Sequence, residues 1–153
     1  MKKEINYLFD VDGTLTPSRG IMNSEFKKWF INFACVNNVI LVTGSDRNKT
    51  IEQLGESVYK KCKRVYNCSG NDVYEKDTQI KYNDWELPID VKQWLNFKLE
   101  HSPFTLRTGL HFENRTGMVN FSIVGRNANT QERKEYYEYD CKTNERIKIA
   151  EAF

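Results

Sequence analysis

With 153 residues, 23 Lys plus Arg against 21 Asp plus Glu and a net charge of +2, the chain has material for one moderate core, or for a small domain and part of a second. The near balance of charge excludes a surface built to coat a polyanion, so no nucleic-acid partner is expected, and no apolar stretch approaches the length of a membrane span. Four cysteines without CxxC spacing and only two histidines argue for reduced thiols and a cytoplasmic protein rather than zinc or a disulfide framework.

The first element is read at Tyr7-Leu8-Phe9, the end of a buried parallel strand. It runs into Asp10-Val11-Asp12-Gly13-Thr14-Leu15-Thr16, which would place Asp10 at the carboxyl edge of the sheet, where open α/β sheets bind ligands. A carboxylate there can attack phosphorus and become an aspartyl phosphate, so Asp10 is read as the nucleophile. Asp12 can then protonate the leaving oxygen and later deprotonate the acceptor hydroxyl. Two anions beside a phosphate require a cation, and hard oxygen ligands point to Mg²⁺ on Asp10 and Asp12. Gly13 permits a sharp turn, and Thr14 can offer its hydroxyl and N–H to phosphate oxygens.

Asn23 or Ser24 caps a helix whose Phe26, Trp29, Phe30 and Phe33 share i, i+3, i+4, i+7 spacing and form a core stripe. Val39-Ile40-Leu41-Val42 reads as a second buried parallel strand, ending in Thr43-Gly44-Ser45-Asp46. The hydroxyls and N–H groups of Thr43, Gly44 and Ser45 can face the same pocket as Asp10, with Thr43 preferred for the phosphate hydroxyl and Ser45 second. The next helix carries Ile51, Leu54 and Val58 inward and leaves Lys49 in solvent. Arg64 to Cys68 is the third strand, and Ser69-Gly70-Asn71-Asp72 a turn. Alternating strands and helices predict a doubly wound α/β core over residues 1–80.

Character changes near residue 81. Pro88 opens a helix with Val91, Trp94, Leu95 and Leu99 in helical register. Phe104 to Arg107, Leu110 to Glu113 and Met118 to Val124 read as antiparallel strands, with Asn114-Arg115-Thr116-Gly117 as a hairpin turn. Residues 81–153 therefore form an α+β cap. Arg115, Arg126 and Arg133 fall on the hairpin, at the end of the following strand and in the next helix, and a folded cap can converge them on phosphate oxygens. Asn144 to Phe153 has helical character through Ile147, Ala150 and Phe153 and stops without a terminating signal, as in a chain cut short.

The string Asp10-Val11-Asp12-Gly13-Thr14-Leu15-Thr16 resembles the first motif of the haloacid dehalogenase superfamily. Continued through Pro17-Ser18-Arg19, Gly44-Ser45-Asp46 with Lys49, Glu52-Gln53-Leu54-Gly55, Arg115-Thr116-Gly117-Met118-Val119-Asn120, Gly125-Arg126 and Glu132-Arg133, it resembles the eukaryotic-type phosphomannomutases along nearly the whole chain. The resemblance implies a haloacid dehalogenase-like core with a C2b-type cap, both lacking their C-terminal portions. It implies Asp10 as nucleophile and Mg²⁺ ligand, Asp12 as acid-base, and Arg19, Arg115, Arg126 and Arg133 as holders of a sugar phosphate.

The implied reaction interconverts mannose 6-phosphate and mannose 1-phosphate for GDP-mannose synthesis, with a hexose 1,6-bisphosphate as intermediate and activator. The cap of that family also forms a homodimer contact. Thr43 stands where these mutases usually carry glycine, and Ser69-Gly70-Asn71 where they carry Glu-Asn-Gly. Their C-terminal lysine and acidic loop have no counterpart here, so a second chain supplying them is one expectation. A sugar-phosphate phosphatase, favoured by Thr43, and a truncated non-catalytic module are the competing readings.

Overall fold

Asn6–Phe9 form strand β1, and Asn38–Val42 (β2) and Arg64–Asn67 (β3) lie beside it in a parallel sheet. The computed structural model describes residues 4–153. Asp72–Glu75 (β4) and Thr78–Tyr82 (β5) extend the sheet antiparallel in the order β1-β2-β3-β4-β5. This hairpin went unread in the sequence: Lys76 takes the left-handed turn position at φ 55°, and every residue of β5 is exposed, so no buried periodicity announces it. The α/β class and parallel strands are as expected.

Ser24–Val36 form helix α1, capped by Asn23, whose side chain accepts from the N–H groups of Glu25 and Phe26. Phe30 and Ala34 are its buried residues. Phe26 and Phe33 are partly buried against the core, but Trp29 is 56% exposed and stacks on both, with ring centroids 5.6 and 5.3 Å away. Trp29 thus covers the stripe from outside rather than filling the core. Arg47–Leu54 form α2 and Glu56–Tyr59 form α3, so Val58 belongs to a separate helix. Gly55 between them stands at φ 84°, which ends α2 after Leu54.

Alternation along the strands decides which face is filled. Phe9, Val39, Leu41 and Val65 join Phe30, Ala34, Leu54, Val58 and Tyr59 in one apolar cluster. Leu8 and Val42, expected in buried strands, are 64% and 40% exposed, because α1, α2 and α3 all contribute to the cluster on the other side. A buried polar chain pins α2 and α3 to β3: Asn67 Nδ2 donates to the Tyr59 hydroxyl at 3.0 Å, and Thr50 Oγ1 lies 3.2 Å from Asn67 Oδ1. Burial pushes the Tyr59 phenol above its usual range and the Cys62 thiol up to about 12.

Two compact units divide the chain: residues through Trp85 with Thr116–Met118, and Glu86–Arg115 with Val119–Phe153. The second unit holds Ile89–Glu100 (α4), Phe112–Arg115 (β6), Met118–Phe121 (β7), Thr130–Thr143 (α5) and Glu145–Glu151 (α6). Ile123, Val124, Ala128 and Tyr136 are its buried apolar residues, packed by Leu99, Phe104, Leu106, Phe121, Tyr139 and Ile149. Several expectations shift here. Phe104 to Arg107 forms no strand; the Arg107 guanidinium instead donates to the carbonyls of Leu99 at 2.8 Å and Leu106 at 3.1 Å. The hairpin turn is Thr116-Gly117 alone, with Asn114 and Arg115 inside β6, and β7 ends at Phe121 rather than Val124.

No residue of α4 is fully buried. In α6 it is Ile149 that packs inward, whereas Ile147 and Phe153 are exposed. Asn129 and Glu132 cap α5 reciprocally, at 3.0 and 2.7 Å. Among the described residues, no helix is long and apolar enough to cross a membrane.

Candidate functional site

The pairing of β1 with β2 sets Phe9 opposite Leu41, so Asp10 and Thr43 leave adjacent parallel strands at the same sheet edge. The third loop of that edge, Cys68–Gly70, follows β3 as a short 3₁₀ turn in place of the expected turn at Ser69–Asp72. Cys68, Ser69 and Gly70 have φ of 47°, 55° and 89°, three successive left-handed residues. Main-chain bonds hold them there: Cys68 N–H to Ser45 O and Ser69 N–H to Thr43 O, both 2.9 Å. The loops carrying Thr43–Ser45 and Ser69 are thereby one hydrogen-bonded ledge.

Asp10 is exposed just past β1, and its Oδ1 accepts the Val11 N–H at 2.7 Å. The chain then folds on itself: the N–H groups of Leu15 and Thr16 reach Val11 O at 3.0 and 3.1 Å, and Gly13 N–H reaches Thr16 O at 2.8 Å. Thr14 N–H, expected to face phosphate, points at Val11 O from 3.3 Å. Asp12 is the more constrained carboxylate. Its Oδ1 accepts the main-chain N–H of Arg19 at 2.6 Å and the Gln53 Nε2–H at 2.8 Å. Arg19 stands at φ 58° with its side chain exposed.

Thr43 and Ser45 are buried and Gly44 is exposed. Thr43 Oγ1 accepts the Ser45 N–H at 3.1 Å, so its lone pairs serve the loop and its hydroxyl proton is what it can offer a ligand. The expected anion site at the start of α2 is partly filled by the protein itself: Asp46 caps the helix, accepting Lys49 N–H at 2.8 Å. Lys49 is in solvent, paired with Glu52 at 3.1 Å.

In the second unit Arg115 and Arg126 converge on Glu113, Arg115 at 3.1 Å and Arg126 in a close ion pair. Arg126 lies in the turn after β7 rather than at a strand end. Arg133, one turn into α5, donates Nε to Ala128 O and Nη2 to Arg126 O, each at 2.7 Å. The three cap arginines are thus one connected network. Burial works against ionisation of Glu113, but the Arg115 hydrogen bond and both guanidinium charges hold its carboxyl below the usual range.

Gln53 and Glu113 are the two residues of these networks that the sequence reading gave no role. Glu113 had a signal, standing two positions before Arg115 on one strand face; Gln53 stood in the Glu52-Gln53-Leu54-Gly55 motif, but nothing there tied it to Asp12, 41 positions away.

For Mg²⁺ the donor chemistry fits a limited share. No group of three or more His, Cys, Asp or Glu is poised to hold a metal among the described residues. Magnesium in phosphoryl-transfer sites takes one or two carboxylates and completes its shell with phosphate and water. The Asp10 carboxylate meets that requirement, whereas Asp12, expected as a second carboxylate ligand, has Oδ1 already filled by two N–H donors and fits the ion less well.

Residues 26–153 match the model of the eukaryotic phosphomannomutase family. A phosphomannomutase of Saccharomyces cerevisiae is 34% identical over 166 residues, covering 99% of this chain and 62% of the yeast protein. One from Spinacia oleracea is 33% identical over 145 residues, covering 91% and 58%. The chain therefore spans about three fifths of the length of these relatives. Among solved structures, an IMP-bound mutant of a Plasmodium falciparum IMP-nucleotidase superposes with a TM-score of 0.50 at 14% identity, over 92% of this chain and 46% of that one, a likeness of fold. Matched by that family's model over residues 26–153, the chain belongs to the eukaryotic phosphomannomutase family.

Proposed function

We propose that the chain carries the phosphoryl-transfer half-site and the distal phosphate clamp of a phosphomannomutase, acting on mannose 6-phosphate and mannose 1-phosphate. The observation that carries this reading is the asymmetry of the carboxylate pair. Asp10 is exposed with Oδ1 bonded only to the adjacent N–H, while Asp12 is fixed by two N–H donors from distant residues. A nucleophile needs access, and an acid-base group needs a defined orientation.

Asp10 attacks one phosphorus of a hexose 1,6-bisphosphate, the bond from that phosphorus to the sugar oxygen breaks, Asp12 gives the oxygen its proton, and a hexose monophosphate leaves. In the other direction the free hydroxyl of a bound mannose monophosphate loses its proton to Asp12 and its oxygen attacks the aspartyl phosphate, re-forming a bisphosphate that turns around so that Asp10 takes the other phosphoryl group. Mg²⁺, held through carboxylate oxygens of Asp10 with Asp12 beside it, supplies neutralisation of the charge shared between carboxylate and phosphate. Thr43, Gly44 and Ser45 line the transferred phosphate, with the Arg19 side chain at its rim. Arg115, Arg126 and Arg133 hold the distal phosphate of a hexose 1,6-bisphosphate. A second chain is the proposed source of the family's C-terminal lysine and acidic loop, and the second unit provides the homodimer contact.

The test follows mannose 1-phosphate by phosphorus NMR with Mg²⁺ and hexose 1,6-bisphosphate present. Mannose 6-phosphate is the expected product. Inorganic phosphate as the main product transfers the reading to a phosphatase. Asp10→Asn abolishes transfer and, because Asp10 is exposed, leaves the melting temperature unchanged.

A further inference from the structure

Gln53 is 1% exposed, yet it is not satisfied as a buried amide should be. Its Nε2 donates to Asp12 Oδ1 at 2.8 Å and lies 3.4 Å from Thr16 Oγ1. Its Oε1 is buried and, among the described residues, has no hydrogen-bond partner. The amide has only one workable orientation, because a carboxylate accepts and does not donate; turning Oε1 toward Asp12 would set two acceptors against each other. Serving Asp12 therefore leaves Oε1 without a donor. Packing does not explain that choice, since an apolar side chain of the same volume would fill the space without the orphaned carbonyl.

We propose that Gln53 is a positioning residue for proton transfer: with Arg19 N–H, it fills Asp12 Oδ1 and so reserves Oδ2 for the sugar oxygen. The role rests on reading Asp12 as the acid-base group. It makes a chemical distinction. When the sugar oxygen leaves phosphorus it needs a proton as the bond breaks, and a misoriented Asp12 slows that step. When acetyl phosphate donates to Asp10, the leaving group is acetate, a stable anion that departs without a proton.

The experiment compares wild type with Gln53→Met, and with Gln53→Leu as a second variant of similar bulk, using the full chain with Mg²⁺. Intact-mass detection of the phosphorylated chain gives the rate of transfer from acetyl phosphate and from a hexose 1,6-bisphosphate. The expected result is an acetyl phosphate rate within about twofold of wild type and a hexose 1,6-bisphosphate rate lower by roughly 30-fold or more, part of the ~10²–10⁴-fold range of general acid-base catalysis. The melting temperature should hold or rise. Equal loss with both donors, or a fall in melting temperature that tracks the loss, overturns the proposal in favour of a structural role, as does wild-type behaviour with both. A wild type phosphorylated by acetyl phosphate alone has no proton step for Gln53 to serve and also overturns it. A wild type phosphorylated by neither donor refutes the reading of Asp10 itself, a failure seen before any variant is made.

Discussion

Arg126 is ion-paired with Glu113, so the guanidinium proposed to hold a distal phosphate already has a carboxylate partner. Glu113 also accepts from Arg115, so one carboxylate is shared by two guanidinium groups. An incoming phosphate must displace it. Glu113→Gln removes the competitor, and titration calorimetry should show hexose phosphate binding tightened by about two- to fivefold, the scale of a partly exposed ion pair. The same substitution removes a stabilising group whose carboxyl is held below its usual range, for the reasons given above. A lowered carboxyl contributes stability above the ordinary carboxylate range and loses it as pH falls through its folded value. The stability gap between variant and wild type should therefore be present at neutral pH and close below about pH 4. Unchanged or weaker binding would separate Arg115 and Arg126 from phosphate recognition.

A second acid-sensitive joint lies between α5 and α6. Asp140 is buried, and Arg146 reaches it twice, main-chain N–H to Oδ1 at 2.8 Å and Nε to Oδ2 at 2.6 Å, while Asn144 makes the turn at φ 55°. Burial opposes ionisation of Asp140, and the Arg146 bonds outweigh it, so its carboxyl is lowered. Asp140→Asn should cost about 1–2 kcal/mol at pH 7, allowing for an Arg146 side chain that is mostly in solvent. By the same sign the cost should fade as pH drops below about 4. Chemical denaturation at pH 7 and pH 3 checks both halves of the expectation.

How far the sequence carried the fold can be judged at α1. The spacing of Phe26, Trp29, Phe30 and Phe33 located the helix and its cap, but spacing assigns a face, not a depth. Trp29 lies at the margin of that face, exposed, while Phe30 is wholly buried and meets Phe9 edge to face at 5.4 Å. Phe30→Ala should cost about 3–5 kcal/mol and Trp29→Ala no more than about 1 kcal/mol, measured by urea unfolding. The site divides in the same way. Asp10, Asp12 and the cap arginines could be named as candidates because phosphoryl chemistry restricts residue types within short motifs. Gln53 and the left-handed ledge at Cys68–Gly70 were not, because what distinguishes them is a contact across 41 positions and a backbone torsion, neither of which a residue name encodes.

Gly125 shows what a torsion can control. It stands at φ 96°, and a Cβ built there would overlap the main-chain carbonyl of Thr108. Thr108 cannot retreat easily, since its N–H and hydroxyl both donate to Val124 O, at 2.9 and 2.7 Å. Gly125→Ala therefore meets strain and a backbone clash together, and should destabilise the second unit by about 2–4 kcal/mol. The residue displaced first is Arg126, whose main-chain N–H bonds Leu110 O at 2.7 Å and whose carbonyl receives Arg133. Arg126→Ala supplies the comparison: it removes the guanidinium and leaves that main chain in place. Both variants should lose hexose phosphate binding, and both should still take a phosphoryl group from acetyl phosphate onto Asp10. Gly125→Ala should lower the melting temperature by clearly more than Arg126→Ala, which loses only the Glu113 ion pair. Loss of Asp10 phosphorylation in Arg126→Ala would show that the two phosphate sites are not independent and would sink the two-site mechanism.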